Sequence, residues 1–179
     1  MAARGDPPGP PEAAAFDAFV REYQHMVYAV AVRLLANEAE AEDVAQTVFM
    51  RAFERFDELQ GEATVPGWLK TVTTHLCLNH LERHRARWRL FSELGAADAP
   101  AFDVASDAPG PEAVLDGTER QARLEQALRQ LPPHQRVPLV LFHFEQRSYE
   151  DIARLLGVSL GKVKTDMHRG RWALRQWLS

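Results

Sequence analysis

The amino-acid sequence predicts an all-α protein, with two small helical domains joined by a flexible acidic linker, the second containing a helix-turn-helix. Apolar residues recur every three or four positions on both sides of residues 91–118, which is the period of amphipathic helices. Residues 91–118 break this pattern with Ala, Pro, Gly and acidic residues, without Lys or Arg, a composition typical of a linker. No strand is predicted in either half.

The composition is that of a soluble globular protein. The 179 residues suffice for two small domains, and 46% of them are hydrophobic and 26% charged. The longest apolar run, residues 137–142, is too short to span a bilayer, and no signal-peptide pattern opens the chain. The single cysteine, Cys77, excludes an internal disulfide and suits a reducing cytoplasm. We therefore expect a cytoplasmic protein without membrane insertion.

The net charge of −4 does not exclude nucleic-acid binding, because only the charge on the contacting face matters. The predicted boundaries are a disordered tail at 1–14, a first domain at 15–90, the linker at 91–118 and a second domain at 119–179. The tail is assigned from its Pro, Gly and Ala content.

Three helices are expected in the first domain. The first carries an apolar stripe from Phe16 to Leu34 and stops near Asn37. A short loop over residues 57–67 leads to the third helix, which begins at about Pro66 and ends in a cluster of arginines. The inner face of the second helix is predicted to comprise Ala41, Val44, Val48, Ala52, Phe53 and Phe56, and that of the third Leu69, Val72, Thr73, Leu76 and His80.

The second domain begins with a helix that ends at Pro132-Pro133, because proline cannot continue a helix. The next helix contains Pro138, which we expect in its first turn, where a missing N–H is tolerated.

The last third of this domain has the pattern of a helix-turn-helix. Ser148 is a good N-cap, with Asp151 at the capping-box position, and Gly157 can adopt the left-handed conformation that ends a helix. Ser159 then caps the final helix.

On the final helix, Val163, Met167, Gly170 and Leu174 form the expected buried stripe, and the opposite arc carries Thr165, His168, Arg169 and Trp172, flanked by Lys162 and Lys164. The second helix of a helix-turn-helix enters the major groove, where Arg169 can bind guanine and Lys164 can neutralise phosphate. The alternative is a basic amphipathic helix that is merely solvated.

Asp166 lies on the flank of this helix, where it could pair with Lys162 or Arg169. We expect Asp166→Arg to strengthen DNA binding in a salt-sensitive way, with little change in base preference. No gain in affinity would mean that Asp166 faces protein.

Three stretches together resemble one family. "LPPHQRVPLVLFHFEQRSYEDIARLLGVSLGKVKTDMHRGRWAL" resembles the C-terminal region-four domain of the extracytoplasmic-function sigma factors of the sigma-70 family. "NEAEAEDVAQTVFMRAFERF" resembles the region-two helix of that family, and "GWLKTVTTHLCLNHLERHRAR" resembles its promoter-melting helix. The resemblance covers about residues 16–90 and 120–179.

This resemblance implies a non-catalytic initiation factor without a cofactor. It would bind core RNA polymerase through the large beta and beta-prime subunits, read minus-35 duplex DNA, and capture the melted minus-10 strand. It also implies an anti-sigma partner.

The resemblance assigns residues to each task. The polymerase-binding residues would be Asp43, Gln46, Phe49 and Arg51. The minus-10 residues would be Gly61, Glu62, Ala63, Thr64, Lys70, Thr71, Thr74, His75, Arg83, Arg85 and Arg87, and the minus-35 residues Lys162, Lys164, Thr165, His168, Arg169 and Arg171. Trp68 is expected to be structural. Thr47 and His75 depart from the family pattern, which has an acidic residue and commonly Asn there.

Two other functions compete with this interpretation. One is a stand-alone helix-turn-helix regulator that binds DNA by itself, usually as a dimer. The other is a metal-responsive sensor, because Cys77, His80 and His84 share one arc of the third helix. No fourth ligand is evident, so we expect no metal site. No P-loop, dinucleotide fingerprint or metalloprotease motif indicates an enzyme.

Overall fold

The structure is a computed structural model that describes residues 10–60, 63–92 and 117–178, with side chains at 13–60, 63–83 and 119–178. These residues form helices and contain no strand, which confirms the all-α prediction. The helices are α1 (Pro10–Leu35), α2 (Glu38–Glu54), α3 (Phe56–Leu59), α4 (Val65–Ser92), α5 (Gly117–Gln130), α6 (Pro133–His143), α7 (Tyr149–Leu156) and α8 (Leu160–Leu178).

Helices α1, α2 and α4 pack against one another to form the N-terminal unit. Its core contains the predicted residues Val44, Val48 and Leu69, all buried. Between α1 and α2 the chain turns through Ala36, whose φ of 55° lies in the left-handed region. Asn37 is the N-cap of α2, and its side-chain oxygen accepts a hydrogen bond from the Glu40 amide at 3.1 Å.

Two boundaries in this unit differ from the sequence prediction. Helix α1 begins at Pro10, so residues 10–14 are helical instead of belonging to a disordered tail. Residues 57–59, predicted to belong to a loop, form α3 together with Phe56, which was predicted to lie on the second helix. Phe56 is buried, as predicted, and packs edge-on against Phe16 and Phe19. This aromatic cluster stabilises the extra helical turn. Phe53, predicted to face inward, is 39% exposed.

Helices α5 to α8 form the C-terminal unit, in which α6 packs against α8 and α7. Leu128 and Leu131 are buried at the end of α5, before Pro132-Pro133, as predicted. Pro138 corrects the prediction, because it lies in the second turn of α6 and is fully buried. A proline there costs one hydrogen bond to the carbonyl four residues earlier, and its burial against the core offsets part of that cost.

The two units also contact each other, through α1 on one side and α5 and α6 on the other. The Arg136 side chain of α6 is only 4% exposed and reaches the C-terminal end of α1. Within the described ranges, no helix combines the length and the apolar content needed to cross a bilayer.

Candidate nucleic-acid interface

Helices α7 and α8 form the helix-turn-helix that the sequence predicts. Ser148 caps α7, with its Oγ accepting from the Asp151 amide at 3.1 Å and donating to Asp151 Oδ2 at 2.8 Å. This hydrogen bond and the nearby Arg154 lower the pKa of Asp151. Gly157 ends α7 with φ 63°, and Ser159 Oγ accepts from the Lys162 amide at 3.2 Å. All three predicted caps are confirmed.

The buried side of α8 also matches the prediction. Val163, Met167 and Gly170 are buried, and Leu174 is partly buried against the core. Gly170 permits a close approach to α6, since a Cβ built there would lie 2.7 Å from Leu139 Cδ1. A side chain at this position would therefore force Leu139 to shift and would crowd Gln135, whose Cβ lies 3.3 Å from the same point.

The outer face of α8 presents the side chains expected to read DNA. Lys164, Thr165 and His168 are exposed, and Trp172 is 62% exposed one turn beyond His168. The Thr165 hydroxyl donates to the Gly161 carbonyl at 2.9 Å, which leaves its methyl group and oxygen lone pairs on the surface. Arg169 is half-buried at the edge of this face. A helix with such a polar outer face can enter a major groove.

Asp166 lies on the protein side of α8 and is 5% exposed. Its Oδ2 accepts a hydrogen bond from Lys162 Nζ at 2.8 Å. Of the two pairings considered from the sequence, the Lys162 pairing is therefore present. The Lys162 ammonium is drawn toward this carboxylate, which weakens its case as a phosphate contact.

Arg171, assigned to minus-35 DNA from the sequence, is half-buried and contacts α6 and α7. Its Nη2 donates to the Tyr149 hydroxyl at 2.9 Å, and its guanidinium lies 5.8 Å from the centroid of the Phe142 ring. Position 171 is four residues after Met167, so it falls nearer the buried stripe than the outer arc. Arg171 therefore joins α8 to α6 and α7.

The described residues assigned to minus-10 DNA lie in the turn before α4 and along that helix as far as Arg83. Ala63 and Thr64 are exposed in the turn, Lys70 and Thr71 are half-buried, and His75 and Arg83 are exposed. Gly61 and Glu62, and the side chains of Arg85 and Arg87, lie outside the described residues.

Thr74 differs from the other described residues assigned to minus-10 DNA, because it is only 3% exposed and its side chain is buried in the protein. It lies beside buried Thr73, which donates to the Leu69 carbonyl at 2.7 Å. Position 74 falls between the two sides of α4, so the apolar period alone did not determine whether it is buried.

Trp68 is half-buried near the start of α4 and packs against the core of the N-terminal unit. The Arg55 guanidinium lies 6.0 Å from the centroid of its ring, at the limit of a cation–π contact. This position agrees with the structural role expected for Trp68.

The exposed face of α2 contains three of the four residues assigned to polymerase binding. Asp43, Gln46 and Arg51 are exposed, whereas Phe49 packs against Phe19 with ring centroids 6.5 Å apart. Met50 was not singled out from the sequence, yet it is 63% exposed and lies four residues after Gln46. Met50 lies on the same exposed stripe of α2 as Asp43 and Gln46, at successive spacings of three and four residues. The helical period alone could therefore have identified it.

Two of the three candidate metal ligands considered above, Cys77 and His80, have described side chains. Cys77 is fully buried, and burial raises the pKa of its thiol to about 12, which disfavours the thiolate that binds metal. His80 instead faces Glu40, with Nε2 and Oε2 3.1 Å apart. No group of three candidate ligands occurs among the described side chains, and that of His84 lies outside them.

Two family descriptions match separate parts of the chain. Residues 19–87 match Sigma-70 region 2, and residues 121–174 match Sigma-70, region 4. The first match spans α1 to most of α4, and the second spans α5 to most of α8.

Similar curated proteins include the ECF RNA polymerase sigma factor SigE of Mycolicibacterium smegmatis, 38% identical over 92% of this chain and 62% of that protein. The RNA polymerase sigma-H factor of Pseudomonas aeruginosa is 34% identical over 89% of this chain and 84% of that protein. The ECF RNA polymerase sigma factor SigW of Bacillus subtilis is 30% identical over 92% of this chain and 89% of that protein. The chain thus spans less than two thirds of the length of the first of these relatives.

Among solved structures, the fold resembles that of the sigma factor RpoE of Bartonella quintana, crystallised with the anti-sigma factor NepR. The TM-score is 0.50 at 24% identity, covering 92% of this chain and 96% of that one.

Proposed function

The chain belongs to the extracytoplasmic-function group of the sigma-70 family, and we propose that it recruits core RNA polymerase to specific promoters and promotes DNA melting there. The observation that carries this proposal is the presence, in the family's order, of a region-2 and a region-4 match on one chain. A DNA-binding helix alone would support only a regulator.

In this proposal, α8 reads the minus-35 duplex. Thr165 and His168 contact base edges in the major groove, Arg169 binds guanine from the edge of the face, and Lys164 contacts phosphate. The support is the exposure of Lys164, Thr165 and His168 on the side of α8 opposite its buried stripe. Trp172 extends this face toward the C-terminal end of the helix.

The minus-10 strand is assigned to the turn before α4 and to that helix. Ala63 and Thr64 border the strand, while Lys70, His75 and Arg83 supply polar and basic contacts. Single-stranded DNA is bound by a basic groove together with stacking, and flipped bases need shaped pockets.

Core polymerase is assigned to the exposed face of α2. We place Asp43, Gln46 and Arg51 at this contact, together with Met50, whose exposed side chain is a suitable apolar anchor. Phe49 supports this face from beneath by packing on Phe19. We further propose a cytoplasmic location, a non-catalytic role and regulation by an anti-sigma factor, as the family resemblance implies.

The competing function is that of a stand-alone regulator, and promoter binding separates the two. A fluorescence-anisotropy titration with promoter fragments should show weak binding by the isolated chain and specific binding only after core polymerase is added. Tight, sequence-specific binding by the chain alone would favour the regulator. The Gln46→Ala variant provides a control, since it should lose the polymerase-dependent binding and keep the weak binding of the free chain.

A further inference from the structure

Trp172 carries a large aromatic side chain on the outside of α8. It is 62% exposed, so most of the indole lies in solvent instead of packing on the protein. Leu174, two residues later, packs against the core from the opposite side of the helix. The fold therefore does not require a tryptophan at position 172.

Trp172 shares one arc of α8 with two residues assigned to base reading. It lies four residues after His168 and seven after Thr165, both exposed, so the three side chains fall within about 60° around the helix axis. Four residues correspond to about 6 Å along a helix, which is less than the length of two base pairs. A helix that lies along the major groove with Thr165 and His168 at base edges therefore also presents Trp172 to the groove.

The charge of α8 indicates what covers this indole in a complex. From Leu160 to Leu178 the helix contains one acidic residue, Asp166, which is buried on the protein side. Lys164 and Arg175 are exposed basic residues of the same helix. A basic face that exposes no carboxylate and carries one large aromatic group suits a polyanion that also presents apolar groups. DNA meets both conditions, and the arc shared with Thr165 and His168 favours it over a protein surface.

The chemistry of the indole matches one base in the major groove. Its Nε1–H donates a hydrogen bond, and the ring system accepts none. Thymine presents the O4 acceptor beside the C5-methyl, the one apolar group that the base edges offer in this groove. Cytosine instead presents an amino donor, which the indole N–H cannot pair with. Thymine alone can therefore accept the indole N–H while its methyl group packs against the ring.

We propose that Trp172 is a specificity-determining residue, which reads a thymine of the minus-35 element within about two base pairs of the base contacted by His168. This inference rests on the proposed function, in which α8 binds that element. Burial of one methyl group corresponds to a change of roughly fourfold in affinity. Because the methyl contact is apolar, it should persist as salt is raised, whereas the contribution of Lys164 should decline.

The test uses the full chain with core polymerase and a minus-35 element that this complex selects from a randomised DNA library. Each thymine of the selected element is replaced in turn by deoxyuridine, which lacks only the C5-methyl group. Affinities are compared for wild type, Trp172→Ala and Trp172→Phe, the last of which keeps an aromatic ring without the N–H donor. Trp177→Ala is the matched control, because Trp177 is 47% exposed on the same helix and lies about 140° around it from Trp172.

For wild type and Trp177→Ala, replacing one particular thymine by deoxyuridine should weaken binding about fourfold, at low and at high salt. Trp172→Ala should bind the thymine and deoxyuridine elements equally, while remaining sensitive to the base read by His168. Trp172→Phe should keep most of the fourfold ratio but bind both elements more weakly than wild type, since the bond to O4 is missing. Circular dichroism checks that the variants are folded, as expected for changes at exposed positions.

A selected element in which no thymine is sensitive to loss of its methyl group would overturn the proposal. A fourfold ratio that survives Trp172→Ala would also overturn it, because another side chain would then contact the methyl group. Equal weakening of every element by Trp172→Ala would place the indole on the sugar–phosphate backbone and exclude base reading. If the wild-type complex selects no minus-35 sequence at all, the proposed function fails and this inference fails with it.

Discussion

At the scale of single residues, Asp166 has a different role from the one its basic surroundings indicate. In the sequence it is an acid in a helix expected to bind DNA, whereas in the structure it is buried on the protein side and accepts a bond from Lys162. It also lines a cavity between the two units. The expectation that Asp166→Arg strengthens DNA binding therefore no longer follows.

We predict that Asp166→Arg lowers the free energy of unfolding by about 2 kcal/mol, because it places a second cation beside Lys162 on the protein-facing side of α8. Asp166→Asn should cost about 1 kcal/mol, through loss of the charged hydrogen bond. Urea denaturation measures both. Asp17→Arg, an exposed acid on α1, controls for the charge change and should be nearly neutral. A gain in DNA affinity at low salt by Asp166→Arg would contradict this placement.

His143 should make stability depend on pH. Burial and the nearby Arg171 lower its pKa in the folded chain, so the unfolded chain binds a proton more readily. Stability should accordingly be complete above about pH 6.5 and fall as the pH drops toward the lowered folded pKa. Comparing the Tm of wild type and His143→Gln at pH 7.5 and 5.5 measures this. An equal loss of Tm in both proteins would exclude His143 as a contributor.

The capping residues could be predicted from the sequence and Arg136 could not, for a physical reason. Ser148 and Ser159 cap backbone groups three residues away, and Gly157 depends only on its own φ, so local chemistry suffices. The partners of Arg136 on α1 lie about 100 residues earlier in the chain. Only the packing of the two units brings them together.

At the scale of elements, we expect some side chains of α8 to provide affinity for DNA and others to provide base specificity. We predict that Lys164→Ala weakens polymerase-dependent promoter binding about equally for all minus-35 sequences and lowers the salt slope by about 1. His168→Ala should instead relax the preference at one base position, at a cost of about 1–3 kcal/mol for the preferred base. Binding to a panel of single-base promoter variants, at several salt concentrations, distinguishes the two.

For this experiment Arg21→Ala, an exposed arginine on α1, is the control for loss of a positive charge. If Lys164→Ala changed base preference, or Arg21→Ala matched its loss of affinity, the assignment of α8 to the groove would be wrong.

On α2, we expect exposed side chains to bind core polymerase and Phe49 to stabilise the fold. Gln46→Ala and Met50→Ala remove exposed side chains, so we expect weaker binding to core polymerase with unfolding free energies within about 0.5 kcal/mol of wild type. Phe49→Ala removes packing against Phe19 and should cost about 2 kcal/mol of stability. Core-binding titrations and urea denaturation of the same variants give both quantities.

Gln24→Ala, at an exposed position on α1, provides the comparison and should change neither quantity. A stable Phe49→Ala variant with lost polymerase binding would return Phe49 to the contact surface and remove its supporting role.

At the scale of the whole molecule, the periodicity of apolar residues predicted the main helices, because each buries one stripe against its neighbours. It missed α3, whose four residues are too few to show a period and are stabilised by Phe16 and Phe19. It also misplaced the start of α1, since the Pro- and Ala-rich composition before Phe16 fits either a tail or a first helical turn. The contact between the two units could not be predicted, because no local sequence pattern indicates which distant residues meet there.

The central claim is that this chain directs core RNA polymerase to promoters, and run-off transcription tests it most directly. Core polymerase, with and without the chain, would transcribe fragmented DNA from the organism that encodes it, and the transcripts would be sequenced. We predict that the chain makes transcripts start at a defined set of sites preceded by shared minus-35 and minus-10 sequences. Transcripts that are the same with and without the chain would contradict the claim.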